Sequence, residues 1–199
     1  MTNFYTDEQQ IIDWLDKYEV KNYTLVPNEQ YGFAVNLNGN VNLSNKSLIN
    51  IPIKFGEVTG SFYSYNNQLT SLEFCPETVG DSFWCSSNKL TSLEFCTQNI
   101  GINFDCGDNK LTSLEFCPQT VAGSFNCNSN NLTSLEFCPQ TVGGNFYCNG
   151  NQELKEIQNI TNFKLILLEH KRILTIKFSD KLNNDLVDDN SKKTAKIKI

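Results

Sequence analysis

Hydrophobic positions in the centre of the chain recur every 21 residues. The string Leu-Thr-Ser-Leu-Glu-Phe-Cys occurs four times, beginning at Leu69, Leu90, Leu111 and Leu132, and a more diverged copy begins at Leu48. A unit this short cannot bury its own apolar face and must stack on its neighbours. The pattern therefore predicts a repeat solenoid over residues 48–157, in which each repeat forms one coil.

Within one repeat, a short segment alternates between polar and apolar residues. In Ser82–Ser86 the order is Ser-Phe-Trp-Cys-Ser, which is the period of a half-buried strand. We expect Phe83 and Cys85 to point into the coil, and Ser82, Trp84 and Ser86 to point outward. Equivalent segments in the other repeats then form a parallel sheet, with one strand from each coil.

The remainder of the repeat has no helical period and is too short for a helix with its two connections. Extended or 3₁₀ backbone is predicted there. Glycines precede the strand in most repeats, and we expect them to allow a tight backbone bend. They are Gly80, Gly101, Gly143 and Gly144.

The string Phe-x-Cys-x-x-Asn-x-Leu resembles the Leu-x-Leu-x-x-Asn-x-Leu signature of leucine-rich repeats, with Phe and Cys in two leucine places. The narrower form, short and rich in Cys and Asn, is most similar to repeat proteins encoded by bacteriophages and other large DNA viruses. The resemblance implies a parallel sheet on a concave face, an extended or 3₁₀ convex side, and an inward Asn that bonds to backbone groups of the neighbouring coil. The residues of this structural Asn ladder are Asn67, Asn88, Asn109, Asn130 and Asn151.

Residues 1–47 are interpreted as an N-terminal cap with a degenerate first coil. Thr6 to Gln9 reads as a capping box before an amphipathic helix. Two strands, 23–26 and 33–35, are expected to flank a turn at Pro27–Gly32, and Asn38-Gly39 is read as a second turn. Solenoids expose an apolar edge at each end, which is why caps are expected.

Residues 158–199 are interpreted as the C-terminal cap. The apolar segment Phe163–Phe178 is ambiguous between helix and strand, and a helix is favoured because Leu165, Leu168, Arg172 and Ile176 lie on one helical face. The polar stretch 188–196 is predicted to be mobile.

The chain carries a net charge of −6, and the acidity lies in the repeats. Residues 48–152 contain nine acidic and three basic residues, whereas residues 153–199 are net basic. This distribution argues against a nucleic-acid partner. No apolar run is long enough to span a membrane, and no signal-peptide pattern follows Met1, so an intracellular protein with reduced thiols is expected.

Two rows of potential metal ligands follow from the repeat. Cys85, Cys106, Cys127 and Cys148 stack at one position and could form disulfides or bind a soft metal, but small apolar core residues are the favoured interpretation. Glu94 and its equivalents form an acidic row that could bind calcium or a basic partner, although a solvated turn edge is favoured. No metal or other cofactor is therefore predicted.

The outward strand positions vary between repeats, whereas the core positions do not. Exposed aromatic residues among small polar ones are typical of a binding surface. We expect a non-enzymatic module that binds a protein or peptide on the concave strand face, and the net acidity of the repeats favours a basic partner. The expected binding residues are Tyr63, Tyr65, Trp84, Asp105, Asn126 and Tyr147.

Other function classes find less support in the sequence. The sequence contains one histidine, His170, that could serve in catalysis, and it is interpreted as a surface or cap residue. A structural or assembly role, for example in a virus particle, stays open as an alternative. A relationship to bacterial effectors that join such repeats to a ubiquitin ligase is more remote, because residues 153–199 contain no cysteine.

Overall fold

The protein is a parallel β-solenoid, as the 21-residue period predicts. The computed structural model describes residues 4–157 and 163–196. A helix, α1 (Glu8–Lys17), and an antiparallel hairpin, β1 (Tyr23–Asn28) and β2 (Gly32–Leu37), precede the coils. The 3₁₀ helix Gln152–Ile157 and the long helix α2 (Phe163–Lys196) follow them. Residues 158–162 and 197–199 of the predicted C-terminal cap lie outside the described part of the chain.

Six short parallel strands, one from each coil, form a sheet that we call the Phe sheet, because five of them begin with a buried phenylalanine. Successive strands pair 21 residues apart, so that Phe62 lies beside Phe83 and Phe83 beside Phe104. Backbone bonds continue past the strands, as in Cys85 N–H to Asp105 O at 2.8 Å. The strands are β3 (Val41–Asn42), β5 (Phe62–Tyr63), β7 (Phe83–Trp84), β9 (Phe104–Asp105), β11 (Phe125–Asn126) and β13 (Phe146–Tyr147).

A second set of parallel strands lies on the other side of the Phe sheet's core, and we call it the Val sheet. Its strands are β4 (Lys54–Val58), β6 (Thr78–Val79), β8 (Asn99–Ile100), β10 (Thr120–Val121) and β12 (Thr141–Val142). The first three extend the antiparallel β1–β2 hairpin in the order β1-β2-β4-β6-β8, and β10 and β12 form a separate parallel pair at the same repeat position in later coils. The sequence predicts only extended or 3₁₀ backbone here, and it misses the second hydrogen-bonded ladder.

A continuous stack of aromatic rings runs through the core. Trp14 of α1 contacts Phe55 with ring centroids 6.5 Å apart, and Phe163 of α2 stacks on Phe146 at 5.2 Å. An aromatic ring of each terminal helix therefore contacts one end of this stack. Between these ends, the centroid separations are 5.1–5.8 Å along Phe55, Phe62, Phe83, Phe104, Phe125 and Phe146.

The N-terminal elements differ in detail from the sequence interpretation. Asp7, and not Thr6, is the N-cap of α1, and its carboxylate accepts from Gln10 N–H at 3.1 Å. The hairpin strands extend further than predicted because Asn28 makes the turn. Its side-chain oxygen accepts from the N–H groups of Gln30 and Tyr31 at 3.0 and 2.9 Å. Pro27 is accommodated because β1 is an edge strand.

The glycines before the strands lie at bends, as predicted, and they also allow close approach between coils. None of the four predicted bend glycines has a positive φ. A Cβ atom on Gly101 would lie 1.8 Å from the carbonyl oxygen of Gly80 in the preceding coil. Stacking at this corner is therefore backbone against backbone.

The segment 163–178 is helical, as favoured, and the helix extends well beyond it. α2 continues to Lys196 and includes the polar stretch 188–196, for which the sequence predicts mobility and no particular secondary structure.

Candidate functional site

Five of the predicted binding residues occupy one register position on the outer side of the Phe sheet. Strand pairing places Tyr63 beside Trp84, Trp84 beside Asp105, Asp105 beside Asn126, and Asn126 beside Tyr147. Adjacent rungs of a sheet are about 4.8 Å apart, so the row spans about 19 Å. We call this row, with Tyr65, the aromatic row.

The sequence interpretation missed one member of this position, Asn42, which pairs with Tyr63 at the N-terminal end. The 21-residue period could have indicated this residue, because Asn42 lies 21 residues before Tyr63. Tyr65 extends the row sideways, with its ring 6.4 Å from that of Tyr63 in an edge-to-face arrangement. Three aromatic rings thus lie together at the N-terminal half of the row, since Trp84 occupies the next rung.

A shallow cleft of about 240 Å³ lies between Trp84 and Tyr147. The rings form its two ends, and the polar side chains of the intervening rungs form its floor. Asp105 and Asn126 are half-buried there. This geometry provides two apolar contact points separated by groups that accept and donate hydrogen bonds.

The floor of the cleft is held in place by its own hydrogen bonds. Asp105 Oδ1 accepts from Gly107 N–H and from Asn126 Nδ2, both at 2.9 Å. Asn126 Oδ1 accepts from Asn128 N–H at 3.0 Å, which repeats the Asp105 turn one coil later. Burial raises the pKa of Asp105, with a smaller contribution from Asp108, while its hydrogen bonds oppose the shift. A cation placed on the floor would favour the ionised carboxylate.

The polar residues that flank the row on its N-terminal side do not all point outward. Ser61 and Ser82, predicted to be outward, are buried. Ser82 N–H donates to Ser61 Oγ at 3.3 Å, and Asn103 N–H donates to Ser82 Oγ at 3.2 Å. The same bond joins Ser124 to Asn103 at 2.8 Å and Asn145 to Ser124 at 3.1 Å. This position is therefore a ladder that joins the coils, because a Ser or Asn oxygen satisfies the next coil's backbone N–H.

The five ladder asparagines are buried and bridge neighbouring coils. Asn109 shows the pattern: Nδ2 donates to Cys106 O in its own coil and Cys85 O in the preceding one, both at 3.1 Å, and Oδ1 accepts from Leu90 N–H at 3.0 Å. Asn67, Asn88, Asn130 and Asn151 make equivalent bonds. These side chains hold the scaffold and do not face the cleft.

All eight cysteines are free thiols, and seven of them are buried. Burial raises the pKa of Cys75 to about 12 and that of Cys148 to about 11. Protonated, buried thiols behave as small apolar side chains. Within residues 4–157 and 163–196, no group of three or more His, Cys, Asp or Glu side chains is arranged to hold a metal ion.

His170 is buried and not a surface residue. Its Nε2 atom accepts a hydrogen bond from Leu135 N–H at 3.2 Å, which joins α2 to the last full repeat. Burial lowers the pKa of His170, and Lys177 lowers it further. Acceptance of this bond by Nε2 likewise favours the neutral imidazole.

A larger cleft, of about 770 Å³, lies over the Val sheet and was not predicted. The β1–β2 hairpin forms one wall, and the glycine-lined strands form the floor. Glu57 and Glu77 line it, and Glu77 pairs with Lys54 at 3.2 Å. Gly56 and Gly80 allow close approach of the neighbouring coil, since a Cβ atom there would lie 2.2 Å from Asn36 Oδ1 and 2.0 Å from Thr59 O, respectively.

Comparison of the chain with protein-family models, curated proteins and solved structures finds no match in any of the three. Among the described residues, no helix combines the length and the apolar character needed to cross a membrane.

Proposed function

We propose that this protein is a non-enzymatic binding module that holds a protein or peptide partner on the aromatic row. The observation that supports this best is the cleft between Trp84 and Tyr147, whose Asp105–Asn126 floor is already held by hydrogen bonds. A preorganised surface loses little conformational entropy when a partner binds. Large aromatic side chains that stand partly exposed on such a surface are the residues that most often dominate binding energy.

The proposed partner presents a basic group between two apolar contacts. Asp105 lies on the floor, and the repeats around it carry nine acidic against three basic residues. This charge would steer a basic partner toward the surface and would disfavour nucleic acid. No membrane, metal or cofactor is part of the proposal, and the proposed location is the cell interior.

We also propose that this solenoid belongs to the leucine-rich repeat class. The Phe-x-Cys-x-x-Asn-x-Leu string and the inter-coil bonds of the buried Asn support a leucine-rich repeat in which Phe and Cys replace two leucines. A relationship to the short viral repeat proteins rests on the sequence pattern alone. Both terminal helices meet the ends of the aromatic stack, which supports their interpretation as caps.

The test selects peptides from a displayed random library on the purified protein and then measures the affinity of the best binder by calorimetry. Trp84→Ala and Tyr63→Ala should each weaken binding by at least about tenfold, because truncating a central aromatic residue typically costs more than 1 kcal/mol. Thr91→Ala, an exposed change in a turn, is the matched control and should leave affinity unchanged.

The substitution Asp105→Asn removes the negative charge from the floor of the cleft while keeping the shape of the side chain, so it tests the contribution of charge to binding. Asn126 shows that an amide makes the same turn at this position, so the fold should be retained. We expect weaker binding and a loss of salt dependence for basic peptides. Unchanged affinity in both Trp84→Ala and Tyr63→Ala would show that the partner binds elsewhere.

A structural or assembly role is the second candidate. It is favoured by a row of exposed phenylalanines away from the aromatic row, because apolar rows on a repeat surface are suited to contacts between subunits.

A further inference from the structure

One phenylalanine in each strong repeat occupies a left-handed backbone position. Phe74, Phe95, Phe116 and Phe137 all have φ between 64° and 68°. The last three are 56%, 49% and 52% exposed. Their spacing along the solenoid is about 4.8 Å, so they form an apolar strip about 10 Å long, which we call the Phe row. The left-handed region is unfavourable for aromatic residues.

Phe74, the equivalent residue in the coil before the Phe row's exposed rings, is covered by other aromatic side chains. Phe74 is only 5% exposed, because Phe4 and Tyr31 cover it with ring centroids at 5.4 and 5.2 Å. The N-terminal segment thus supplies apolar side chains to one rung. The same ring position in the next three coils receives no such cover from the described residues.

The border of the Phe row is acidic. Glu94, Glu115 and Glu136 precede the three phenylalanines and are exposed. The turn segments 91–99, 112–120 and 133–141 contain no Lys or Arg. Two Phe rows packed against each other would place like charges together, which is unfavourable. A matching surface must be apolar and basic.

The outer side of α2 has this composition. Ile166 and His170 face the last coil and are buried, whereas Leu168 and Ile176 are 66% and 45% exposed. At 100° per residue, Leu168, Arg172 and Ile176 form a stripe that lies about 160°, 120° and 80° around the helix from Ile166 and is two turns or about 12 Å long. Arg172 is paired with Glu169 on the same helix, and its side chain is still 62% exposed.

Lys164 and Lys171 are exposed beside this stripe. The length of the stripe matches the three exposed rungs of the Phe row. The helix cannot serve its own Phe row in this arrangement, because Ile166 and the bond from Leu135 N–H to His170 hold its other side on the last coil. The complementary surface is therefore available from a second copy.

We propose that the outer face of α2 in one copy packs along the Phe row of a second copy, with Lys164 and Lys171 near the glutamate border. The two surfaces differ, so the contact is heterologous and joins copies head to tail. At one end of such a chain of copies a Phe row stays unpaired, and at the other end an α2 face stays unpaired. Further copies can therefore add at both ends, and association is open-ended.

Sedimentation velocity of the full chain in reducing buffer, over about 1–200 µM, tests the contact. The average mass should rise with concentration and fall with added salt, because the border is charged. Phe116→Asn removes the central ring while keeping a residue that tolerates positive φ. Leu168→Gln removes the apolar centre of the helix face. Each should weaken association by at least about tenfold. Ile49→Gln, at an apolar residue 65% exposed elsewhere, is the control and should change nothing.

Mixing the two variants distinguishes this contact from other assemblies. Phe116→Asn retains an intact helix and Leu168→Gln an intact Phe row, so the mixture should form a one-to-one pair that does not grow. If Phe116→Asn alone associates as strongly as the wild-type chain, the helices pair with each other and the proposal is wrong. If Leu168→Gln alone associates as strongly as the wild-type chain, the Phe rows pair and it is equally wrong. A wild-type chain that is monomeric throughout the range also overturns it.

Discussion

The side-chain amide of Asn109 donates a hydrogen bond to the carbonyl oxygen of Cys85 in the preceding coil at 3.1 Å. The same nitrogen donates to Cys106 O at 3.1 Å, so one buried amide joins two coils. The bond recurs between Asn130 and Cys106 at 3.1 Å. The carbonyl groups of Cys85 and Cys106 are satisfied in this way, beside backbone bonds between coils such as Ser87 N–H to Gly107 O at 2.9 Å.

Replacing Asn109 by alanine should destabilise the fold by about 2–4 kcal/mol, because several buried backbone groups lose their partner at once. The measurement is the urea unfolding midpoint. Asn131→Ala, at the exposed position that follows the ladder residue Asn130 in the next coil, is the control and should change stability by less than about 0.5 kcal/mol. Similar costs for the two variants would mean that the ladder bonds contribute little.

The cover over the Phe row can be measured by comparing two equivalent positions. Phe74→Ala should cost about 3 kcal/mol, because it removes ring contacts with Phe4 and Tyr31. Phe95→Ala should cost about 1 kcal/mol or less, since Phe95 is 56% exposed. Both changes put alanine at a positive φ, so the backbone strain cancels in the comparison. Thermal unfolding of dilute samples, in which copies do not associate, gives the difference.

The docking of α2 should weaken as the pH falls below about 6.5. The folded pKa of His170 lies below its unfolded value because of burial, so the unfolded chain binds more protons in the interval between the two. Stability is therefore complete above the unfolded pKa and is lost as the pH falls toward the folded one. Protonation also removes the acceptor for Leu135 N–H.

The chain has a single histidine, so an NMR titration reports His170 without ambiguity. His170→Asn should remove the pH dependence of thermal stability between pH 5 and 7 that the imidazole causes. A titration midpoint at or above 6.5 in the folded protein would contradict the buried, neutral imidazole.

The thiols should react slowly with iodoacetamide at pH 8 in the folded protein, because the thiolate is the reactive form. Burial raises the pKa of Cys117 to about 12 and that of Cys138 to about 11. Cys138 is the least buried and should be modified first. In denaturant without reductant, mass spectrometry should count eight modified residues. Fast native modification of Cys106 would mean that the coil core opens readily.

The strand alternation in Ser82–Ser86 correctly gives the inward Phe83 and Cys85, because period-two burial is a local property of a strand. It is wrong for Ser82, which is buried because its Oγ atom accepts a hydrogen bond from Asn103 N–H in the next coil. Which polar residues face solvent depends on bonds between coils, and a single repeat does not encode them. The pairing of Tyr63 with Trp84 follows from the 21-residue spacing alone.

The environments of His170 and Phe95 could not be predicted from the local sequence. Nothing in the local sequence indicates that His170 meets Leu135, since that contact depends on where α2 packs. Phe95 has a left-handed backbone, and its ring is exposed. Phe74 has the same local sequence and is buried, because Phe4 and Tyr31 reach it from a distant part of the chain.

The sequence by itself determined the solenoid, its period and the register of its strands, because identical repeats stack with identical spacing. Only the tertiary structure decided that a second parallel ladder exists, that Ser82 is buried, and that three of four equivalent phenylalanines are exposed. These features depend on contacts between coils and with the terminal segments, and such contacts lie outside the repeat that the sequence displays.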